Sequence, residues 1–475
     1  MARPDPTHFD LIVIGAGAAG LSVTAGAAQL GVRVALIERD RMGGDCLNTG
    51  CVPSKAMLAS AHAVRAAAEA ERLGIRFGAP LIDWAAVNTH VQGVIDAIAP
   101  VDSEERFRGL GATVIRGEAR FAGPDRITVN GQTLSARRII IAAGSRATVP
   151  AVPGLQEVGY LTNATVFGLP EKPDHLLILG GGPIGLEMAE AFSGLGTRVT
   201  VVQSSTIANR EEPELVDALR GVLLARGIAI EENAAVTAVE PGPTLVLEDG
   251  RRISGSHLLV ATGRTPNLED LDLEKGGVTA TRAGISTDAG LRSVSNRRVF
   301  AVGDIADPVG IGPRAFTHVG SYHAGIVIRR ALFRLPAKID YSALPRVTYT
   351  APELAQVGMT EAEARKAGLD VTILRWKLED NDRAIAERDT IGMIKIVVAR
   401  GRVVGAGILG SHAGEMIGTW TLAISQRIKL SALAGMIVPY PTRAEIGKRA
   451  VGAYFGAKLF TDRTRMVVRW LGMLG

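Results

Sequence analysis

Cysteine and aromatic residues are scarce in this chain of 475 residues, which holds two cysteines and only 4% Phe, Trp and Tyr together. Two sulfurs cannot form the disulfide framework that staples small secreted folds. A structural zinc site ordinarily takes four ligands at closer spacing, and no paired histidines follow these two cysteines. The shortage of rings argues against a nucleic-acid surface, where bases stack on aromatics beside a clustered basic face. The net charge of +5 is spread thinly over the length. No run of about 20 uninterrupted apolar residues occurs, so no membrane-spanning helix is predicted. The start, Met1-Ala-Arg-Pro-Asp-Pro-Thr-His, is polar and proline-rich rather than signal-like, and a reducing cytosol is the expected compartment.

What is present fits a folded, multidomain enzyme. The length is too great for one ordinary core and suggests about three domains. A hydrophobic fraction of 47% with 56 glycines suits helices packed closely on sheets rather than disorder.

Phe9-Asp-Leu-Ile-Val-Ile14 reads as a buried strand. It runs into Gly15-Ala-Gly17-Ala-Ala-Gly20, a helix from Leu21 to Leu30, and a second strand, Val32 to Ile37, ending at Glu38. This is a dinucleotide-binding βαβ unit in its required context. Gly15 makes the tight turn, Gly17 lets a pyrophosphate approach the helix N-terminus, Gly20 allows helix and strand to touch, and Glu38 suits ribose hydroxyls. A second copy begins at His175-Leu-Leu-Ile-Leu179, followed by Gly180-Gly181-Gly182-Pro183-Ile184-Gly185, a helix through Leu195 and a strand from Arg198 to Val202. Gln203 follows Gly180 at the spacing at which Glu38 follows Gly15. One chain therefore carries two dinucleotide folds, and a second nucleotide implies a first with which it reacts.

The two cysteines sit together in Gly43-Gly44-Asp45-Cys46-Leu47-Asn48-Thr49-Gly50-Cys51-Val52-Pro53-Ser54-Lys55, at the start of a predicted helix. Unpaired amides and the positive end of the helix dipole stabilise a thiolate there, and Lys55 adds a cation one turn on. The pair is expected to be redox-active. A pair of merely buried cysteines is the alternative.

This segment resembles the redox motif of the class I pyridine nucleotide-disulfide oxidoreductases, the family of lipoamide dehydrogenase, glutathione reductase and mercuric reductase, and the resemblance extends over the whole chain. It implies an α/β protein with two Rossmann-like domains, for FAD (1–150 and 265–340) and NAD(P) (151–264), plus an α+β dimerisation domain (345–475). It further implies a Cys46–Cys51 disulfide beside the flavin, with Cys51 in charge-transfer contact and Cys46 meeting the substrate. Lys55 and Glu187 are implied to meet near flavin N5, and Gly44, Ala119, Gly144, Gly263 and Asp304 to lie along the cofactors. Thr317-His318 is implied to open a helix whose amides face the flavin pyrimidine.

Gln203 stands where NAD-using relatives carry a carboxylate, which removes a charge that would repel a 2′-phosphate, and Ser204, Ser205 and Arg210 follow. NADPH is the expected donor, with NADH as the alternative; Arg210 pairing with Glu211 or Glu212 on the surface is the structural reading of that residue. Pro183 replaces the gating tyrosine of the disulfide reductases, so nicotinamide access is expected to be ungated.

Val438-Pro439-Tyr440-Pro441-Thr442-Arg443-Ala444-Glu445 resembles the family's His-Pro-Thr-x-x-Glu except that Tyr440 replaces the catalytic histidine. A phenol with a pKa near 10 is a poor base at neutral pH, so fast lipoamide or glutathione chemistry is not expected. His412 and His318 are candidate replacements only by their place in the motif map. Mercuric reductases share the tyrosine, but with two cysteines in all, this sequence has neither their C-terminal cysteine pair nor an N-terminal Cys-x-x-Cys.

The resulting expectation is a homodimeric FAD enzyme that passes hydride equivalents from NAD(P)H through the flavin to Cys46–Cys51 and on to a small disulfide, metal ion or other electrophile. Direct flavin reduction of quinones or oxygen, and a redox-sensing binding protein, are the alternatives. The C-terminal run with Arg463, Arg465, Arg469 and Trp470 among Met466, Val467, Val468 and Leu471 reads as a solvated last helix in preference to a basic amphipathic helix at a membrane surface.

Overall fold

The computed structural model describes residues 5–474. These form two compact units. The first comprises the chain through Met57, Asp83–Lys172 and Leu258–Ile339, and the second Leu58–Ile82, Pro173–His257 and the chain from Asp340 onward.

In the first unit, the run Phe9 to Ile14 forms strand β1 (His8–Ile14), whose last four residues are buried. A strand buried on both faces suits a parallel sheet covered by helices. Helix α1 (Ala18–Gln29) follows, then strand β2 (Val34–Glu38), which pairs parallel to β1 from Leu11↔Val34 to Ile14↔Ile37. The cysteine segment forms two helices rather than one, α2 (Gly44–Thr49) and α3 (Cys51–Glu69). Gly50 breaks between them at φ −133° and ψ −113°, where a Cβ would stand 2.9 Å from the Asp45 carbonyl oxygen. Strands β3 (Thr113–Arg116), β4 (Arg120–Gly123), β5 (Arg126–Val129) and β6 (Gln132–Ile141) complete a sheet of order β3-β2-β1-β6-β5-β4. The short strand Val299–Ala301 pairs parallel to β6.

In the second unit, strand His175–Leu179 pairs parallel to Arg198–Val202, which in turn pairs with Ala229–Glu231. The helix between the first two strands, Pro183–Gly194, begins with the proline, whose fixed φ suits the first helical position. A separate five-stranded antiparallel sheet contains Pro345–Thr348, Glu353–Gly358, Val371–Lys377, Met393–Ala399 and Arg402–Gly410. Ile394, Ile396, Ile408, Trp420 and Ile446 lie in its core. Lys395 is buried on strand Met393–Ala399, with its ammonium 2.6 Å from Glu212, 2.9 Å from Glu361 and 3.3 Å from Glu214. Such a charge is tolerated in a core only when paired, and these carboxylates tie the nucleotide-fold helix Pro213–Ala225 to the antiparallel sheet. No helix among the described residues is long and apolar enough to cross a membrane.

Candidate active site

The two glycine loops match in backbone conformation and in their closest contacts. Gly15 has φ +103° and Gly180 φ +118°, and their amides donate to the Ile37 and Val202 carbonyls at 2.8 and 2.9 Å. A Cβ on Gly20 would strike the Gly15 carbonyl oxygen, and one on Gly185 the Gly180 oxygen, so both helices lie too close for any side chain. Gly17 and Gly182 cap the helices at φ −81° and −79°, a conformation open to every residue. A Cβ at Gly182 would meet nothing within 4 Å, and one at Gly17 only the Gly44 Cα at 3.9 Å. Neither conformation nor packing therefore requires glycine at the two caps. What the missing side chains leave is a backbone-lined opening at a helix N-terminus, the shape and charge that a pyrophosphate fits.

The acidic end of the first unit is equally specific. Glu38 Oε2 accepts from the Ala16 amide at 2.5 Å and Oε1 from the Asp40 amide at 2.8 Å. In the second copy, Gln203 Oε1 accepts from the Gly181 amide at 2.8 Å, and its Nε2 donates to Ser205 Oγ at 2.8 Å. Ser204 and Arg210 are both exposed. Arg210 does not take the carboxylates proposed for it from sequence: Glu211 is bound by Arg346 at 3.0 Å, and Glu212 by Lys395.

The cysteines meet where α2 gives way to α3. No disulfide joins them; both are thiols. Hydrogen bonding to Cys51, and then burial, push the Cys46 thiol well above its ordinary value. Cys51 Sγ lies 3.3 Å from Thr317 Oγ1, at the first residue of helix Thr317–Ala331. Two segments more than 250 residues apart in the chain are thus in contact at the sulfur. Gly43 and Gly44 bring this segment against the first glycine loop, with a Gly17–Gly43 bridge and a Gly44 Cβ position 2.8 Å from the Gly17 Cα. His318, next to Thr317, stacks on Phe316 with ring centroids 5.3 Å apart.

Asp304 lies in the turn Gly303–Ile305, and burial pushes its carboxyl up against the opposing pull of Ser145 and Arg264. Ser145 Oγ donates to Asp304 Oδ2 at 2.5 Å, while among the described residues no donor reaches Oδ1. A half-satisfied, mostly buried carboxyl of this kind fits a ligand hydroxyl. Arg264 donates to Ser145 Oγ and O at 2.7 and 2.8 Å and ion-pairs with Asp45, which also accepts from Asn163 at 3.0 Å. The Asp45–Arg264–Ser145–Asp304 chain was missed in the sequence. Asp45 and Asp304 stand at positions the sequence singles out, but nothing in the spacing links them to Ser145 and Arg264. His323, 1% exposed, accepts from the Gly303 amide at 3.0 Å, and burial lowers its pKa to about 4, so it is neutral. Ala119 is buried, and Gly144 and Gly263 have φ +64° and +151°.

Lys55 lies one turn into α3 from Cys51. Glu187, 5% exposed, accepts from the Tyr349 amide at 3.0 Å within the second unit. Tyr440 is 69% exposed, and its hydroxyl donates to Asp382 Oδ2 at 3.0 Å, which raises the phenol above its usual pKa. Glu445 is the first residue of helix Glu445–Leu459. His412 caps helix Ala413–Ser425 in the left-handed region, at φ +63°.

The family model described as pyridine nucleotide-disulphide oxidoreductase matches residues 9–374, and that of the family's dimerisation domain matches 344–451. The chain belongs to the pyridine nucleotide-disulphide oxidoreductases. It is 36% identical to a mercuric reductase of Streptomyces lividans, covering 94% of this chain and 96% of that protein. It is 33% identical to a dihydrolipoyl dehydrogenase of Geobacillus stearothermophilus, covering 95% and 97%. Among solved structures, the HOCl-induced flavoprotein disulfide reductase RclA of Escherichia coli matches with a TM-score of 0.83 at 26% identity, and LpdA of Mycobacterium tuberculosis with 0.85 at 26%; each match covers 94% of this chain and 99% of the other. Members of this pyridine nucleotide-disulphide oxidoreductase family are FAD-dependent and take electrons from NAD(P)H. The glycine cradles, Glu38 and Asp304 described above fit those two groups.

Proposed function

We propose that the chain is a homodimeric, NADPH-dependent flavoprotein that reduces a thiophilic acceptor through Cys46 and Cys51. FAD, when bound, relays two electrons from the nicotinamide to the sulfur pair. The observation that carries the reading is the asymmetry of that pair. The hydrogen bond to Cys51 holds the Cys46 thiol above its ordinary value, while Cys51 lies against Thr317 at a helix N-terminus, where amides and the dipole favour a thiolate. Cys46 is then the sulfur that meets the acceptor and Cys51 the one that faces the cofactor.

The other residues divide the work by their chemistry. Gly15, Gly17, Gly20, Gly44 and Glu38 hold the first dinucleotide, with Asp304, Ala119, Gly144 and Gly263 along it. Gly180, Gly182 and Gly185 hold the second, and uncharged Gln203 with Arg210 admits a 2′-phosphate. Lys55, one turn into its helix from Cys51, supplies the cation beside the cofactor's reactive edge. Tyr440, aligned by Asp382, donates a hydrogen bond rather than shuttling protons, and with Glu445 it serves the redox pair of the other protomer. This makes small disulfides that need a neutral-pH base poor acceptors. The site belongs in a reducing compartment, where an acceptor is reduced and the thiols regenerate.

Anaerobic titration with NADPH tests the proposal. Two-electron reduction is expected to produce a long-wavelength thiolate charge-transfer band, and turnover on an added thiophilic electrophile is expected to consume NADPH continuously. Uptake that stops after about one equivalent with every acceptor would instead describe a sensor.

A further inference from the structure

The C-terminal helix Asp462–Leu471 lies beyond the family's dimerisation-domain match, which ends at Val451. None of its ten residues is buried. At helical spacing, Met466 and Trp470 share one line, and Val467 and Leu471 the next, with Val468 beside them. Arg465 and Arg469 run along the opposite face, Arg465 pairing with Asp462 at 3.2 Å, while Arg463 opens the Val467–Trp470 line at the start of the helix. Met466 is 65% exposed and Trp470 60%, and Phe460 just before the helix is 72% exposed. A solvated helix has no reason to concentrate a tryptophan, a methionine and three branched apolar side chains on one side, because exposing them costs free energy in proportion to their area.

Two occupants suit an apolar face of this width: a second copy of the chain, or the boundary between lipid headgroups and acyl chains. Charge decides between them. The helix carries Arg463, Arg465 and Arg469 against the single acid Asp462, and the whole chain is at +5. A two-fold contact through the apolar face would enclose Arg463, which shares the i, i+4, i+7 line with Val467 and Trp470, against an apolar surface with no counter-charge. Anionic headgroups supply the counter-charge, arginine stems reach them from the polar face, and an indole settles at that depth. We propose that Asp462–Leu471 is an interfacial helix that docks the enzyme on an anionic phospholipid surface, with Met466, Val467, Trp470 and Leu471 entering the acyl boundary. The helix lies on the surface and does not span it.

The test is co-flotation of the full-length, FAD-loaded protein with phosphatidylcholine vesicles, with and without one-third phosphatidylglycerol. The wild type should float with the anionic vesicles, be released by high salt and ignore the neutral ones. Arg465→Glu with Arg469→Glu should lower partitioning by about fivefold or more per charge. Val467→Glu with Leu471→Glu should abolish it while leaving flavin content and NADPH-driven flavin reduction unchanged. A blue shift of tryptophan emission on binding should disappear in Trp470→Phe. Equal flotation with both vesicle types, or none, overturns the proposal. So does self-association that the Val467→Glu/Leu471→Glu variant splits while the wild type stays off the vesicles, since a second copy then covers the face.

Discussion

Gln203 holds the Gly181 amide as Glu38 holds the Ala16 amide, by one side-chain oxygen at 2.8 Å and 2.5 Å respectively. The loop hydrogen bond is kept while the charge is deleted. On the proposed reading the carboxylate of the first fold suits ribose hydroxyls, and the amide of the second removes a charge that would repel a dianionic phosphate.

Replacing Gln203 with Glu restores the charge without disturbing the loop, because the acceptor oxygen is retained. The wild type should show the larger kcat/KM with NADPH, and the variant should move the ratio towards NADH by at least tenfold, about 1.4 kcal/mol. Steady-state kinetics with both nucleotides check this, and a wild type that prefers NADH tenfold would remove the charge argument.

Two glycines of the second loop should behave in opposite ways. Gly182→Ala adds a methyl in open space at an ordinary φ, so the protein should melt as the wild type does while KM for the nucleotide rises about tenfold or more. Gly185→Ala drives its methyl into the Gly180 carbonyl and should lose stability first. Thermal melts alongside nucleotide titrations separate the two.

Cys51→Ser should retain FAD and lose the long-wavelength band, whereas Cys46→Ser should keep the band, because the sulfur beside Thr317 is the one assigned to the thiolate. Absorbance spectra during anaerobic reduction report both. A band that survives in Cys51→Ser reverses the assignment.

Tyr440 donates to Asp382, which raises the phenol above its usual pKa and keeps it protonated at neutral pH. Wild-type turnover on lipoamide or oxidised glutathione should therefore be slow, with no rise between pH 6 and 9 from this group. Tyr440→His places an imidazole near Glu445 and should recover part of the 10²- to 10⁴-fold that general acid–base help supplies. Flavin reduction by NADPH is the internal control and should not change.

His323 is neutral when folded, with a pKa of about 4, against an ordinary value near 6.5. The unfolded chain therefore binds a proton first as pH falls, and stability is lost between about pH 6.5 and 4, by roughly 3 kcal/mol at the lower end. His62, lowered to about 4 by burial and by Arg65 and Arg226, adds in the same direction. His323→Asn keeps an acceptor for the Gly303 amide and should flatten the acid limb of a melting-temperature profile recorded across that window.

Local chemistry made the glycine loops, the strands that feed them and the cysteine pair legible in the sequence. A tight turn at positive φ, a helix too close for a Cβ and an unbroken apolar strand each leave a residue-by-residue mark that needs no distant partner. The same holds for the amphipathic last helix, whose two faces follow from spacing. Tertiary structure alone decided what those elements meet. Thr317 reaches Cys51, and Arg264, on a strand paired antiparallel with Ser145–Ala147, joins Asp45 to Ser145 and Asp304; spacing along the chain does not encode that proximity. Gly50 reads as one glycine among many until the carbonyl of Asp45 shows why the cysteine segment must be two helices. Arg210 could be paired with its acidic neighbours on paper, and lost them once Arg346 and Lys395, far along the chain, folded onto the same carboxylates. Side-chain competition in three dimensions, which no linear pattern records, settled that choice.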